Sequence, residues 1–266
     1  MKRPMDASER ANWFDTEGNL YVSPADKPLR DSITSLCISQ FDELPLEDFR
    51  RGASADGIRS RISQRRGDNG EEYVLSIVGL ADIARELTME MPYIRTSRKL
   101  AQIQDFTEFV FRERIQMKES ARTARELLDS LPRQRGNLRK LMGPKERANW
   151  FDTEGCLYVG EPGKNGSREV SMMVYQSQRE PLDDFAGGAR KDGIMSSVYF
   201  RRRTNDEYIL RIRRLDHIVK EVALELPFLR TRRRLAQVER LKEYLVEHKA
   251  VTARNFTKTN SSSMGR

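Results

Sequence analysis

Along several short stretches of the chain apolar and polar residues alternate, and along others apolar residues recur at helical spacing. The same order of stretches occurs twice. Helical spacing predicts a short helix over 7–17, ending at Gly18, and another over 144–154, ending at Gly155. Glycine after a last helical turn suits a left-handed cap. Strands are predicted over 19–23 with 33–40, and over 156–160 with 170–178. A short helix over PLEDF or PLDDF follows in each case. A second hairpin pairs 58–66 with 72–79 through Gly67-Asp68-Asn69-Gly70, a strong turn signal, and its counterpart pairs 194–203 with 207–213. A long amphipathic helix closes each half, over 80–115 and 215–248, with breaks expected near Pro92 and Pro227. The element order is αββαββα, twice.

Self-comparison explains the recurrence. Residues 9–18 and 146–155 both read ERANWFDTEG, and Leu-Tyr-Val follows one residue later in each copy. PLEDF (45–49) answers PLDDF (181–185), ADGI (55–58) answers KDGI (191–194), and EYVLSI (72–77) answers EYILRI (207–212). MPYIRTSRKLAQ (91–102) answers LPFLRTRRRLAQ (226–237). The offset, about 136 residues, is too long for a solenoid and large enough for a self-contained core. The expected organisation is a first repeat over 1–116, a linker over 117–143, a second repeat over 144–250 and a disordered tail over 251–266. The linker holds a predicted helix over 119–131, and the tail is polar without periodicity.

Strand alternation sorts the faces. Arg59, Arg61, Ser63 and Arg65 share one side of their strand, with Ile58 and Ile62 on the other. In the second half Tyr199, Arg201 and Arg203 alternate together, and Arg211 and Arg213 lie opposite Tyr208, Leu210 and Ile212. Each half is therefore expected to carry a sheet with one apolar face under helices and one open face rich in arginine and hydroxyls. Such a face is either ordinarily solvated or suited to guanine edges and phosphates in a DNA groove. Ser35, Cys37 and Ser39, with Met173, Tyr175 and Ser177 in the other copy, fall on the same side. The cluster 230–234 repeats the one at 95–99, which favours a groove-lining role over a merely solvated helix face.

Composition narrows the partner. The 266 residues carry 48 Lys+Arg against 40 Asp+Glu, a formal charge of +8, which favours a polyanion. No run of 18 apolar residues and no apolar leader are present, so neither a membrane span nor secretion is expected and a cytoplasmic location is. The two cysteines, Cys37 and Cys156, speak against a disulfide framework and a structural zinc site, and the two histidines against a histidine-rich nuclease centre. His217 and His248 read as surface residues.

The repeated motif contains a chemical conflict. Glu17 and Glu154 close their helices, where a carboxylate meets the negative end of the dipole at a cost of ~0.3–1 kcal/mol. A neighbouring Lys or Arg would answer this, and so would a cation from outside. Glutamate oxygens with the main-chain carbonyls of Thr16 and Thr153 form a hard-oxygen set suited to Mg²⁺. Asp15 and Asp152 read as structural. Packing motif against motif would bring Glu17 and Glu154 together beneath a basic groove, an arrangement suited to metal-assisted phosphodiester hydrolysis.

ANWFDTEGN and ANWFDTEGC resemble the signature helix of the LAGLIDADG homing endonucleases in their single-chain, two-repeat form, and the closing segment is similar to archaeal intron-encoded members. The resemblance implies an α+β fold with two four-stranded antiparallel sheets forming a saddle on double-stranded DNA, around a central two-helix interface. It implies a monomer, divalent metal (Mg²⁺, with Mn²⁺ or Ca²⁺ as substitutes) on Glu17 and Glu154, and one strand cut by each half. Gln40 and Gln176 match polar residues that order water and phosphate. Arg95, Arg230, Lys99 and Arg234 fall where the family carries active-site lysines, and Ser97 stands where the other half has Arg232. Asn12 and Asn149 replace a small glycine and either widen the helix contact or bond across it.

Two further readings share these features: an intron maturase that binds its own RNA and cuts weakly, and a regulator built on a retired nuclease. Acids intact in both halves favour cleavage. The reading faces differ, with Arg59 and Arg61 against Met195 and Ser197, and Cys37 against Met173, so the target is expected to be asymmetric.

Overall fold

The computed structural model describes residues 3–22, 34–67, 70–112, 119–130, 140–161, 168–202 and 206–262. In the first repeat α1 (Ala7–Glu17) leads into β1 (Gly18–Val22) and β2 (Thr34–Gln40). Next come α2 (Glu43–Ala55), β3 (Arg61–Gly67), β4 (Gly70–Ile77), α3 (Leu80–Glu90) and α4 (Ser97–Arg112), with α5 (Glu119–Asp129) in the linker. The second repeat has α6 (Pro144–Glu154), β5 (Gly155–Val159), β6 (Val170–Gln176), α7 (Arg179–Lys191), β7 (Ser197–Arg201), β8 (Glu207–Ile212), α8 (Leu215–Glu225) and α9 (Arg232–Ser262). The two sheets are antiparallel with matching orders, β1-β2-β4-β3 and β5-β6-β8-β7. The fold is the expected α+β duplication.

Each sheet buries one face under its helices. Leu36, Ile38, Leu75 and Ile77 are buried in one copy, and Met172, Val174, Leu210 and Ile212 in the other. Removing such a side chain from a filled core costs about 2–5 kcal/mol. Trp13, Phe14, Trp150 and Phe151 are fully buried and anchor the signature helices to these cores. Arg10 crosses the first core to Glu86 (2.6 Å) and Asp56 (2.7 Å), and Arg147 repeats the pattern with Glu221 (2.6 Å) and Asp192 (2.8 Å).

Several boundaries differ from expectation. The closing helices break where predicted: Pro92 sits in a 3-10 turn (Met91–Tyr93) between α3 and α4, and Pro227 lies between α8 and α9. Arg59 and Met195 precede their strands, and Arg213 and Ser177 follow theirs, because pairing starts at Arg61↔Ser76 and Ser197↔Arg211 and β6 ends at Gln176. α9 continues to Ser262 through much of the segment expected to lack structure, and residues 232–262 contain no proline or glycine to stop it. Arg203 and the turn residues Asp68 and Asn69 lie outside the described residues.

Gly18 and Gly155 are not left-handed caps. Their φ values, −76° and −89°, are open to any residue. What excludes a side chain is space, because a Cβ on Gly18 would stand 2.6 Å from Phe14 O and 2.8 Å from Phe14 Cα, and one on Gly155 would stand 2.8 Å from Phe151 Cα. Each strand leaves its helix too closely to tolerate a methyl group.

Candidate active site at the seam of the two repeats

The signature helices α1 and α6 pack against each other and join the repeats. Trp150 donates its indole N–H to Asn12 Oδ1 (3.3 Å), so one asparagine does bond across the interface. Asn149 forms no such bond with Trp13.

The last turns of both helices converge. Burial, and after it the charge on nearby Glu17, pushes the Glu154 carboxyl up to about 7. Burial also raises Glu17, but the Gln40 side chain donates to it, and Arg234, Lys99 and Arg233 oppose the rise. Glu17, Gln40, Asp42, Glu72, Asp152, Arg232 and Arg233 are among the residues that line a cavity of about 480 Å³ at the end of β2. Gln176 does not copy Gln40: its Oε1 accepts from Ser177 N (2.8 Å) and Ser177 Oγ (3.0 Å).

Cations from within the chain answer the helix-dipole conflict. Lys99 is fully buried, donates to Gly18 O and lies 5.0 Å from the centre of the Phe14 ring. Arg234 donates to Phe151 O (2.7 Å) and Thr153 O (3.3 Å) over the Phe151 ring. Burial lowers the Lys99 pKa to about 8 and that of Arg234 to about 10, assisted by Arg98 and Arg233 respectively. Both side chains thus cap helix C-termini and do not face an open groove. Thr16 and Thr153 turn their hydroxyls back to Asn12 O (2.9 Å) and Asn149 O (3.0 Å), and the Thr153 carbonyl accepts from Arg234 (3.3 Å).

Arg95 and Arg230 are also corrected. Asp15 accepts from Arg95 N (2.8 Å) and from the Thr96 hydroxyl (2.5 Å), and Asp152 does the same for Arg230 N (2.7 Å) and Thr231 (2.6 Å). These carboxylates are structural, as read. The turns they hold send each arginine into the opposite repeat. Arg95 reaches Glu146 (3.1 Å), Asp184 (2.9 Å) and Lys140 O (2.7 Å), while Arg230 reaches Glu9 (2.9 Å), Asp48 and Arg3 O (3.1 Å). With 9% and 3% of their side chains exposed, they clasp the repeats together and do not line a groove.

Arg98 and Arg233, read in the sequence only as members of the clusters 95–99 and 230–234, are exposed cations whose charge acts on Glu154 and Glu17. Helical spacing carries the signal: Lys99 is in step with buried Ile103, Phe106 and Val110, and Arg234 with Val238 and Leu241. Their neighbours therefore point outward. Asp42 and Gln178 were missed by sequence reasoning. They accept from Arg232 N (2.8 Å) and Ser97 N (2.9 Å), binding the start of each closing helix to the other repeat.

The open sheet faces match the alternation. Cys37, Ser76 and Arg61 form one row, and Ser39, Val74 and Ser63 the next. In the second sheet the rows are Cys156, Met173, Arg211 and Ser197, then Tyr175, Ile209 and Tyr199. Cys37 Sγ stands 3.6 Å from both Ser35 Oγ and Ser76 Oγ. Much of the arginine is already paired: Arg65 with Glu72, Arg201 with Glu207 and Arg211 with Glu169. Arg59, off the strand, pairs with Asp82 (3.0 Å). His217 is not a free surface residue, because its Nδ1 accepts from Met195 N (2.8 Å).

Among the described residues no group of three or more His, Cys, Asp and Glu side chains is placed to hold a metal. The fit of a cation rests on the Glu17 and Glu154 pair alone. Two partly desolvated carboxylates that repel each other are hard-oxygen donors short of positive charge, and a divalent ion fits them. Among the described residues no helix is long and apolar enough to cross a membrane.

No family model and no curated protein matches the chain by sequence. Solved structures do match in shape. The LAGLIDADG homing endonuclease I-GzeII, in complex with its DNA target, superposes with a TM-score of 0.65 at 14% identity over 92% of both chains. The LAGLIDADG meganuclease I-AabMI, bound to uncleaved DNA, gives 0.66 at 12% identity over 93% of both chains. The LAGLIDADG homing endonuclease I-SmaMI, bound to cleaved DNA, gives 0.68 at 11% identity over 94% of this chain and 92% of that one. With its duplicated sheets and paired signature helices, this chain has the fold of the two-repeat LAGLIDADG homing endonucleases.

Proposed function

We propose that the protein is a site-specific, divalent-metal-dependent endonuclease for double-stranded DNA. The observation that carries this reading is the convergence of Glu17 and Glu154, one from each repeat, at the seam between two open-faced sheets. A carboxylate pair that is poorly compensated inside the protein has a use if it holds a cation. The DNA-bound structures of I-GzeII and I-SmaMI support the choice of substrate.

In the reaction a water oxygen bonds to phosphorus while the bond from phosphorus to one sugar oxygen breaks. That oxygen takes up a proton, leaving a hydroxyl and a phosphate monoester. A divalent ion on Glu17 and Glu154 would supply electrophilic activation of the phosphate and a more acidic water. The protein's own side chains do the rest. Gln40 fixes the Glu17 carboxylate and Arg233 offsets its charge, while Arg232 in the same cavity is held by Asp42. Arg61, Cys37, Met173, Tyr175, Tyr199 and Ser197 offer base-reading contacts on open faces that differ between repeats, so the target is long and asymmetric. One chain contains both acids, so a monomer suffices.

The test is incubation of the protein with a randomised duplex library and Mg²⁺. Discrete double-strand breaks at one family of sites are expected. Tight binding of structured RNA with no break in any duplex, under Mg²⁺ or Mn²⁺, would favour the maturase reading.

A further inference from the structure

The open faces of the two sheets differ most in their middle row. Ser39 and Ser63 flank Val74 in the first sheet, whereas Tyr175 and Tyr199 flank Ile209 in the second. In the adjoining row Met173 stands where the first sheet has Cys37. The polar groups of the second face are already engaged. Tyr175 donates its hydroxyl to Met173 Sδ (3.3 Å). Arg201 is paired with Glu207 and lies 5.4 Å from the centre of the Tyr175 ring, and Arg211 is paired with Glu169. What this face offers a partner is a thioether and two aromatic rings, with Ile209 buried between them and Tyr199 exposed. The first face has the opposite character. Arg61 pairs with no carboxylate among the described residues, and it stands with Ser63, Ser76 and Cys37.

In the major groove the C5 methyl of thymine is the apolar group on the base edges, and every other group there donates or accepts a hydrogen bond. Rings and a thioether gain by covering that methyl. Over a guanine or adenine edge they would leave polar atoms dry and unpaired. Resting on the nuclease reading, we infer that the two halves of the target are read by different chemistry. The half under the second repeat is read through thymine methyl groups packed on Met173, Tyr175 and Tyr199, and the half under the first through hydrogen bonds. These three residues determine specificity and take no part in cutting.

The experiment starts with selection of a target by binding from a randomised duplex library, without divalent ions, so that cleavage plays no part in the readout. Replacing the thymines of one half by deoxyuridine removes only the methyl groups. In the half under the second repeat this should weaken wild-type binding about fourfold for each contacted methyl, the worth of one buried methylene. The same replacement in the other half should leave affinity within about twofold. With 5-iodouracil at the sensitive positions, near-ultraviolet light should cross-link the DNA to Met173, Tyr175 or Tyr199. Met173→Cys, Tyr175→Ser and Tyr199→Ser, combined in one chain, give the second face the residues of the first. That chain should lose the uracil penalty and keep its preference in the other half, which shows that it is folded. The uracil comparison uses wild type alone, so it decides whether or not the triple exchange folds. No penalty in either half, equal penalties in both, or cross-links to the first repeat would overturn the thymine reading and leave the nuclease reading standing. A wild type that selects no duplex sequence would overturn both.

Discussion

Arg95 from the first repeat lies 3.1 Å from Glu146 of the second, and Arg230 from the second lies 2.9 Å from Glu9 of the first. The repeats thus exchange one buried arginine each, and both arms start from the turn that an aspartate of the signature helix holds. Duplication accounts for the geometry, since one sequence pattern folded twice and packed face to face produces two reciprocal clasps.

Removing one partner of a buried ion pair costs about 3–5 kcal/mol, because the other charge is left unpaired in the interior. Arg230→Ala and Arg95→Ala should each lower the stability read from urea denaturation by that order. The salt dependence of DNA binding should not change. A smaller salt slope in either variant would place these side chains on phosphates.

Gly18→Ala and Gly155→Ala should destabilise by about 1–3 kcal/mol each through overpacking against Phe14 and Phe151. Thermal melting would show it. Unchanged melting would mean that the helix-to-strand junction is looser than its geometry shows.

Glu90 and Glu225 are fully buried beside Glu86 and Glu221, and burial together with these neighbouring carboxylates raises both pKa values well above the ordinary range. A carboxyl whose folded pKa is raised favours the folded state while protonated, and that contribution fades as pH rises through the folded pKa. Stability should therefore fall on going from acidic to alkaline buffer. Glu90→Gln and Glu225→Gln, which keep a donor toward Glu86 and Glu221, should flatten the fall. Chemical denaturation at pH 5.5 and 8.5 checks it, and a steeper fall in the variants would contradict it.

Arg61 is exposed on the open face in the row with Cys37 and Ser76. If it contacts a phosphate, Arg61→Ala should reduce the slope of log affinity against log salt by about 1. If it contacts a base, the slope should hold while preference at one target position relaxes. Arg201, held by Glu207, should give a smaller effect of either kind.

Much of this is legible in the sequence alone. Identity between 9–18 and 146–155 carried the duplication, and period-two alternation at Cys37, Ser39 and Arg61 carried the open face. What could not be read were relations across the seam. Nothing near Arg95 in sequence indicates that Glu146 and Asp184 will surround it, since a buried arginine and a groove arginine look alike until the partner repeat is in place. The inward position of Lys99, by contrast, was legible: helical phase with Ile103 turns it to the core and leaves Arg98 outside.

On the proposed nuclease reading, Glu17 and Glu154 together perform the cutting and do not merely hold the seam. That role is tested most directly by the double variant Glu17→Gln, Glu154→Gln on the duplex that wild type selects. Binding within about twofold of wild type, with no strand broken in Mg²⁺ or Mn²⁺, is the predicted result. Double-strand cleavage persisting in the double variant would contradict that role.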